Sequence, residues 1–196
     1  MVTWRQHQSG DASHVVLSDG QESIYLLSLQ DDPQPRLFAE HEAPVGAWPL
    51  TTRLAVLGNL VGCGAENGKL ALFKLPSLEP QPPLDIKAQI TWGPFPVGEH
   101  ALCATDTDEL LCIDAEGQLA WKTPLAHGAP AGRPLLLKDQ IALLWKEGSY
   151  SQLNLNDGQE SSHIDFDHPV IAGPVPWGEN LVVTAFDGTL LLLAHP

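Results

Sequence analysis

The sequence is poor in positive charge. Ten Lys and Arg residues stand against 24 Asp and Glu, which gives a formal net charge of −14 at pH 7. Affinity for nucleic acids depends largely on Lys and Arg side chains that neutralise phosphates. We therefore expect no nucleic-acid partner, and we interpret the acidic surface as a contribution to solubility.

Long apolar runs are also missing. No stretch approaches the roughly 18 consecutive apolar residues that a membrane span requires, so we expect no membrane span. The N-terminal segment MVTWRQHQSGDASH lacks the apolar region of a signal peptide. The localisation stays open: cytoplasmic for the chain as given, extracytoplasmic if it is a domain of a longer precursor.

Cysteine is scarce, and no CxxC pair occurs. Cys63, Cys103 and Cys112 are interpreted as small buried thiols. Cys103 and Cys112 flank the predicted turn Thr107-Asp108 at equal distances. A two-residue turn would place them opposite each other on paired strands, so a strained cross-strand disulfide is the alternative.

Known catalytic motifs are absent. The sequence contains no G-x-S-x-G, no H-E-x-x-H, no phosphate-binding glycine loop and no complete EF-hand. We therefore predict a protein that is not an enzyme and that uses no cofactor.

What the sequence contains is an internal repeat, together with 17 Gly and 17 Pro residues. Three prolines recur at a constant interval of about 40 residues, and each is followed at a second constant interval by a turn residue. These pairs are Pro94 and Thr107, Pro134 and Glu147, and Pro174 and Asp187. A fourth copy starts at Pro49, but its turn, Asn67-Gly68, follows later than in the other copies, which predicts an insertion of about five residues. A weaker first copy has its turn at Asp19-Gly20.

Each copy predicts four antiparallel strands, A to D, because short apolar runs alternate with turn residues and no helical periodicity competes. Four strands in about 40 residues are typical of a β-propeller blade. The chain is thus predicted to be one all-β propeller domain of about five blades, with units 1–43, 44–89, 90–129, 130–169 and 170–196. The last unit ends after strand C, so its outer strand is missing. A β-sandwich is the alternative fold, and a fragment of a larger ring or of a longer protein is the alternative organisation.

One segment resembles a known repeat family. The stretch LLCIDAEGQLAWKTPL (110–125) is similar to the pyrroloquinoline-quinone-type propeller repeat, and loosely to WD-type repeats. Ile113-Asp114 closes strand C, Gly117 lies in the turn and Trp121 opens strand D. The resemblance implies either a quinone-dependent dehydrogenase or a non-catalytic scaffold, such as the lipoprotein of the outer-membrane protein assembly machine. The dehydrogenases carry an adjacent-cysteine disulfide, which this sequence lacks, so the non-catalytic branch is predicted.

Histidines mark candidate binding loops. His41, His127 and His168 fall in predicted connections from strand D to the next strand A, and these loops share one face of a propeller. With Glu42 and Asp167 nearby, a ring of histidines and carboxylates that binds a metal is one interpretation. Polar loops also tolerate histidine without a ligand, so no metal site is predicted.

Tryptophans form the second candidate set. Trp4, Trp48 and Trp92 lie in or beside strand A, and Trp177 lies on the last A–B turn. They are candidates for an aromatic platform that binds a sugar or a peptide. Packing between blades is the alternative.

These patterns favour a protein–protein interaction scaffold that binds through the face of the D–A and B–C loops. The alternatives are a carbohydrate- or small-ligand-binding propeller and, less favoured, a quinone-dependent enzyme. A protein partner is expected, a glycan is the alternative, and the open last blade offers a route to self-association.

Overall fold

The protein folds into strands only. The computed structural model describes the backbone of residues 2–5, 13–30, 36–166 and 168–194. Side chains are described for residues 14–28, 36–166 and 168–194. Within these ranges there are 19 strands in five antiparallel sheets, and inside each sheet the strands pair in the order of the sequence. The described residues include no helix that is long and apolar enough to cross a bilayer.

The five sheets are the predicted blades, and the strands of each are labelled from A onwards in chain order. Blade 1 contains β1 (Val2–Arg5), β2 (Ser13–Ser18), β3 (Ser23–Gln30) and β4 (Arg36–Pro44). Blade 2 contains β5 (Ala55–Leu57), β6 (Leu60–Gly64), β7 (Lys69–Lys74) and β8 (Glu79–Asp85). Blade 3 contains β9 (Ile90–Val97), β10 (His100–Thr105), β11 (Glu109–Ile113) and β12 (Leu119–Pro124).

Blade 4 contains β13 (Pro130–Leu137), β14 (Gln140–Trp145), β15 (Ser149–Asn154) and β16 (Glu160–Asp165). Blade 5 has three strands, β17 (Val175–Trp177), β18 (Asn180–Thr184) and β19 (Leu190–Ala194). In the described part of the chain β19 pairs only with β18. The prediction that the last blade lacks its outer strand is therefore confirmed.

The apolar core lies between blades. Because successive strand residues point to opposite faces, the middle blades bury apolar side chains on both sides. Leu102 and Cys103 are neighbours on β10 and both are fully buried, yet Leu102 packs towards blade 4 and Cys103 towards blade 2. Four such clusters join successive blades, and none of them joins blade 5 to blade 1 among the described residues.

Two glycines in the turns between strands C and D fit closely against the preceding blade. A Cβ on Gly158 of blade 4 would lie 2.5 Å from the ring of Trp121 in blade 3. A Cβ on Gly117 of blade 3 would lie equally close to Leu72 in blade 2. Both glycines also have a positive φ, which side-chain-bearing residues seldom adopt. In blades 3 and 4 the C–D turn therefore packs against the preceding blade.

The repeat is more regular than predicted. Four backbone hydrogen bonds join the first residue of the B–C turn to the connection that precedes strand A, and donors and acceptors each recur with the period of the repeat. They run from Glu66 to Pro49, from Asp106 to Gln89, from Lys146 to Ala129 and from Phe186 to Pro169. Pro49 thus matches Pro169 rather than Pro174, and the predicted insertion in the second copy is wrong. Blades 2 and 5 share a short strand A that follows an isolated bridge, Leu50–Ala65 or Val170–Ala185.

The B–C turns contain three residues in blades 2 to 5, not the predicted two. In blade 3, Ala104 pairs with Leu110 and Asp108 adopts a positive φ of 57°. A left-handed residue in the third position is typical of three-residue hairpin loops. The longer turn shifts the register, so Cys103 pairs with Leu111 and Leu102 with Cys112. Cys103 and Cys112 therefore lie on opposite faces, and all three cysteines are free and buried.

We expect these thiols to resist alkylation in the folded protein. Burial raises the pKa of Cys103 and of Cys112 to about 12, and the thiolate is the reactive form. At pH 8 alkylation by iodoacetamide should be about a thousandfold slower than for a free cysteine, whose pKa is about 8.5. Mass spectrometry should find no modified cysteine before unfolding and three after it. Rapid labelling of Cys103 in the native state would contradict the packing described.

Candidate functional site between blades 3 and 4

Three potential ligand groups converge at the junction of blades 3 and 4. His127 lies in the connection between β12 and β13, and Glu160 and His163 lie on β16. The Nε2 atom of His127 lies 3.0 Å from Oε1 of Glu160, and Nδ1 of His163 lies 3.4 Å from the same oxygen. The three ligand atoms lie within 4.8 Å of one another. We call these residues the His127 cluster.

A β-bulge places two members of the cluster on one face. Residues three apart on a regular strand point to opposite faces. In blade 4, Glu160 pairs with Leu153 and Ser162 with Gln152, which marks an irregularity between these pairs. The extra residue reverses the alternation, so Glu160 and His163 both face blade 3. Sequence reasoning missed both residues because regular alternation in GQESSHIDF separates them.

The cluster rests on a buried polar network. The Ser151 hydroxyl donates to Oε1 of Glu160 at 2.5 Å and accepts a hydrogen bond from the Trp145 indole at 2.7 Å. It also lies 3.1 Å from Nδ1 of His163. The other ring nitrogen of His163 lies 2.9 Å from Asp165. These hydrogen bonds fix the positions of Glu160 and His163. A quarter to a third of each side chain in the cluster is exposed to solvent.

The charge of Glu160 is favoured at this position. Partial burial opposes ionisation, but the hydrogen bond from Ser151 and the charge and hydrogen bond of His127 together lower the pKa of Glu160 below its ordinary value. Two clefts, of about 190 and 340 Å³, flank the cluster, and His127 lines both. The cluster therefore combines an anionic oxygen with two imidazoles in a place that solvent reaches.

The contacts of Ser151, His163 and Asp165 resemble those of a hydrolytic triad, but the serine is unsuited to attack a substrate. Ser151 is fully buried; its oxygen accepts a hydrogen bond from the Trp145 indole, and its hydroxyl donates one to Glu160. A nucleophilic serine needs an exposed oxygen and a base that receives its proton. The network supports the cluster and offers no nucleophile.

The other predicted histidines do not join His127. His41 lies within strand β4, paired with Leu26, and not in a loop as predicted. Its neighbour Glu42 accepts a hydrogen bond from Ser23 at 2.8 Å. His168 lies in the predicted connection, 3.5 Å from the Asp187 carboxylate in the next B–C turn. Asp167 falls outside the described residues. In the described part of the chain, only the His127 cluster brings three such ligand groups together.

The predicted tryptophans occupy different environments. Trp92 packs in the layer between blades 3 and 4, and its indole donates to the Gly132 carbonyl at 2.8 Å. Trp48 is half exposed in a D–A connection, and Trp177 is exposed at an A–B turn. In an antiparallel meander these two kinds of connection lie at opposite ends of the strands. Trp4 lies in β1, and its side chain falls outside the described residues. Their role in ligand binding stays a prediction.

Blade 5 exposes an apolar face that the sequence analysis did not identify. Leu181 and Val183 pack on blade 4 and are fully buried. The opposite face, which we call the outer face of blade 5, carries the alternate side chains of the same three strands. Four of these are between 57% and 71% exposed, namely Val175, Trp177, Leu190 and Leu192. Exposed apolar patches of this kind are typical of interaction sites.

Comparisons with known proteins identify the fold. No protein-family profile matches the chain, and no curated protein matches it in sequence. Among solved structures, BamB from Moraxella catarrhalis superimposes with a TM-score of 0.69 and 12% identity over 100% of this chain and 60% of that one. BBS1N in complex with ARL6DN gives 0.74 and 17% over 100% and 61%. Sqt1 from Saccharomyces cerevisiae gives 0.68 and 14% over 97% and 57%.

At these identities the similarity concerns the fold alone. The chain spans about 60% of the length of these structures, and the likeness to the quinone-type repeat in particular stays a prediction. Successive four-stranded antiparallel sheets and β-propeller neighbours lead to the same assignment. The chain has an all-β propeller fold with a three-stranded last blade.

Proposed function

We propose that this protein is a non-enzymatic propeller that binds a protein partner through the outer face of blade 5. The observation that carries the proposal is the apolar row that Val175, Val182 and Leu192 form across the three strands of this blade. The sequence patterns favour the loop face instead, whereas this row lies on the strands themselves.

The outer face has the composition of a buried layer. Blades 2, 3 and 4 each bury aliphatic side chains on both faces, and blade 5 has aliphatic side chains on both faces but buries only one. Covering apolar surface stabilises a complex by roughly 25 cal/mol per Å² before the costs of association. A partner that presents a flat apolar sheet face fits this surface best, because that is what packs against the other blades.

The edge of blade 5 adds a second attraction. Among the described residues strand β19 pairs only with β18, and an open strand edge can pair with another strand. Four blades complete this position with a strand D of their own chain. A partner segment in extended conformation can pair with β19 while its apolar side chains cover Leu190 and Leu192. The complex of BBS1N with ARL6DN shows that a chain of similar fold was crystallised with a protein partner.

Site-specific photo-crosslinking tests the proposal. We expect p-benzoylphenylalanine in place of Leu192 to give a protein adduct of defined mass in cells that express the full chain. The same group in place of Leu119, an exposed leucine on strand D of blade 3, is the matched control and should give none. Leu190→Lys should weaken the Leu192 adduct about tenfold, since losing one central apolar contact costs more than about 1 kcal/mol.

The folding of the variants provides the control for the interpretation. Leu190→Lys changes a side chain that is 67% exposed, so its unfolding midpoint should stay close to that of the wild type. An adduct with the mass of two chains would identify self-association as the use of this face. Equal crosslinking from positions 119 and 192, or none from either, would contradict the proposal.

A further inference from the structure

We infer that the His127 cluster binds a divalent transition-metal ion, with Zn²⁺ as the best match. The inference is independent of the outer face of blade 5, since the cluster lies between blades 3 and 4. It rests on the ligand types, on their separations and on the groups that hold them.

The ligand types and distances fit zinc. Two imidazoles and one carboxylate form a typical three-ligand set for Zn²⁺, with metal–ligand distances of about 2.0–2.2 Å. Ligand atoms around a tetrahedral ion at such distances lie about 3.3 Å apart. In the cluster, Oε1 of Glu160 lies 3.0 Å from Nε2 of His127 and 3.4 Å from Nδ1 of His163. These two separations are close to what the ion requires, and the two imidazole nitrogens lie within 4.8 Å of each other.

The surroundings of His163 also match a metal ligand. Its Nε2 lies 2.9 Å from the Asp165 carboxylate, which favours a proton on Nε2 and leaves the lone pair on Nδ1. A histidine whose second nitrogen donates to a carboxylate is the usual arrangement at zinc sites, because the carboxylate fixes the tautomer and orients the ring. Ser151 orients Glu160 in the same way.

One ring must turn when the ion binds. The rings of His127 and His163 are stacked, with centroids 3.8 Å apart and an angle of 16° between their planes. A metal ion lies close to the plane of each imidazole that binds it, and two stacked rings cannot share such a position. His127 is the ring that can rotate, because it lies in a connection and lines both clefts. The same clefts give water access to the fourth coordination position.

Titration with Zn²⁺ alone tests the inference. We expect isothermal titration calorimetry of the full chain to show one ion bound per protein and the unfolding midpoint to rise with added Zn²⁺. His163→Gln, His127→Gln and Glu160→Gln should each lower the affinity at least about a hundredfold. Asp165→Asn should lower it about 10- to 100-fold, because it removes the group that orients His163.

His41→Gln and His168→Gln are the matched controls, since these histidines lie outside the cluster, and both should bind as the wild type does. Circular dichroism of each variant distinguishes lost binding from lost folding, and Glu160→Gln keeps an acceptor for Ser151. The inference is overturned if the folded wild type shows no stoichiometric binding at roughly 100 μM Zn²⁺. It is also overturned if folded His127→Gln and His163→Gln bind with unchanged affinity.

Discussion

Replacing Gly132 by alanine is expected to destabilise the protein by about 2–5 kcal/mol, from overpacking and from a left-handed backbone. Gly132 lies on β13 of blade 4 with a φ of +60°. A Cβ at this position would overlap the backbone nitrogen of Gly173 and would lie 2.5 Å from the carbonyl carbon of Ala172. No side-chain rotation relieves a clash with backbone, so blade 5 must move away from blade 4. Urea denaturation of the purified variant measures the loss.

Gly178→Ala is the matched control for Gly132→Ala. Gly178 has the same φ of +60°, but no atom lies within 4 Å of the position that a Cβ would occupy. This variant should therefore lose only the conformational term of about 1–2 kcal/mol. Equal stability of the two variants would show that the close approach of blades 4 and 5 is not as described.

Replacing Trp121 by alanine is expected to cost about 3–5 kcal/mol, as is usual for a buried tryptophan. Only 8% of Trp121 is exposed. Its indole donates to the Leu155 carbonyl of the next blade at 2.7 Å, and its ring contacts the turn at Gly158. The change therefore opens a cavity in the layer between blades 3 and 4 and leaves a carbonyl of that layer without its donor. The unfolding midpoint in urea is the measurement.

Two other substitutions separate the contributions at Trp121. Trp121→Phe keeps most of the ring packing and should lose about 1 kcal/mol for the hydrogen bond. Trp177→Ala removes a side chain that is 71% exposed and should leave the unfolding midpoint nearly unchanged. A Trp121→Ala variant as stable as Trp177→Ala would contradict the packing described.

The strands could be predicted from the sequence because local signals agree there. Apolar runs such as those of β10 and β14 alternate with Gly and Asp turn residues, and the repeat of Pro94, Pro134 and Pro174 sets the period. Backbone hydrogen bonding and side-chain burial favour the same strands, so local patterns are sufficient.

Features that depend on a single extra residue in a turn or a strand could not be predicted. Asp108 takes a left-handed conformation that glycine usually adopts, so the extra residue in its turn was not recognised. The bulge before Ser162 has no sequence marker either, and it decides that Glu160 and His163 share a face. A shift of one residue in the pairing register turns every following side chain on that strand to the opposite face of the sheet. The candidate site depends on that change, whereas the fold does not.

The contact of Gly158 with Trp121, and of Gly117 with Leu72, has a consequence for how the molecule loses structure. Contacts with the neighbouring blades stabilise each blade, so in the described array the stability of one blade depends mainly on the blades next to it. An inner blade is secured by two interfaces, and each end of the described array by one. Within the described array, a substitution that weakens one interface should then destabilise the two blades that share it more than the others.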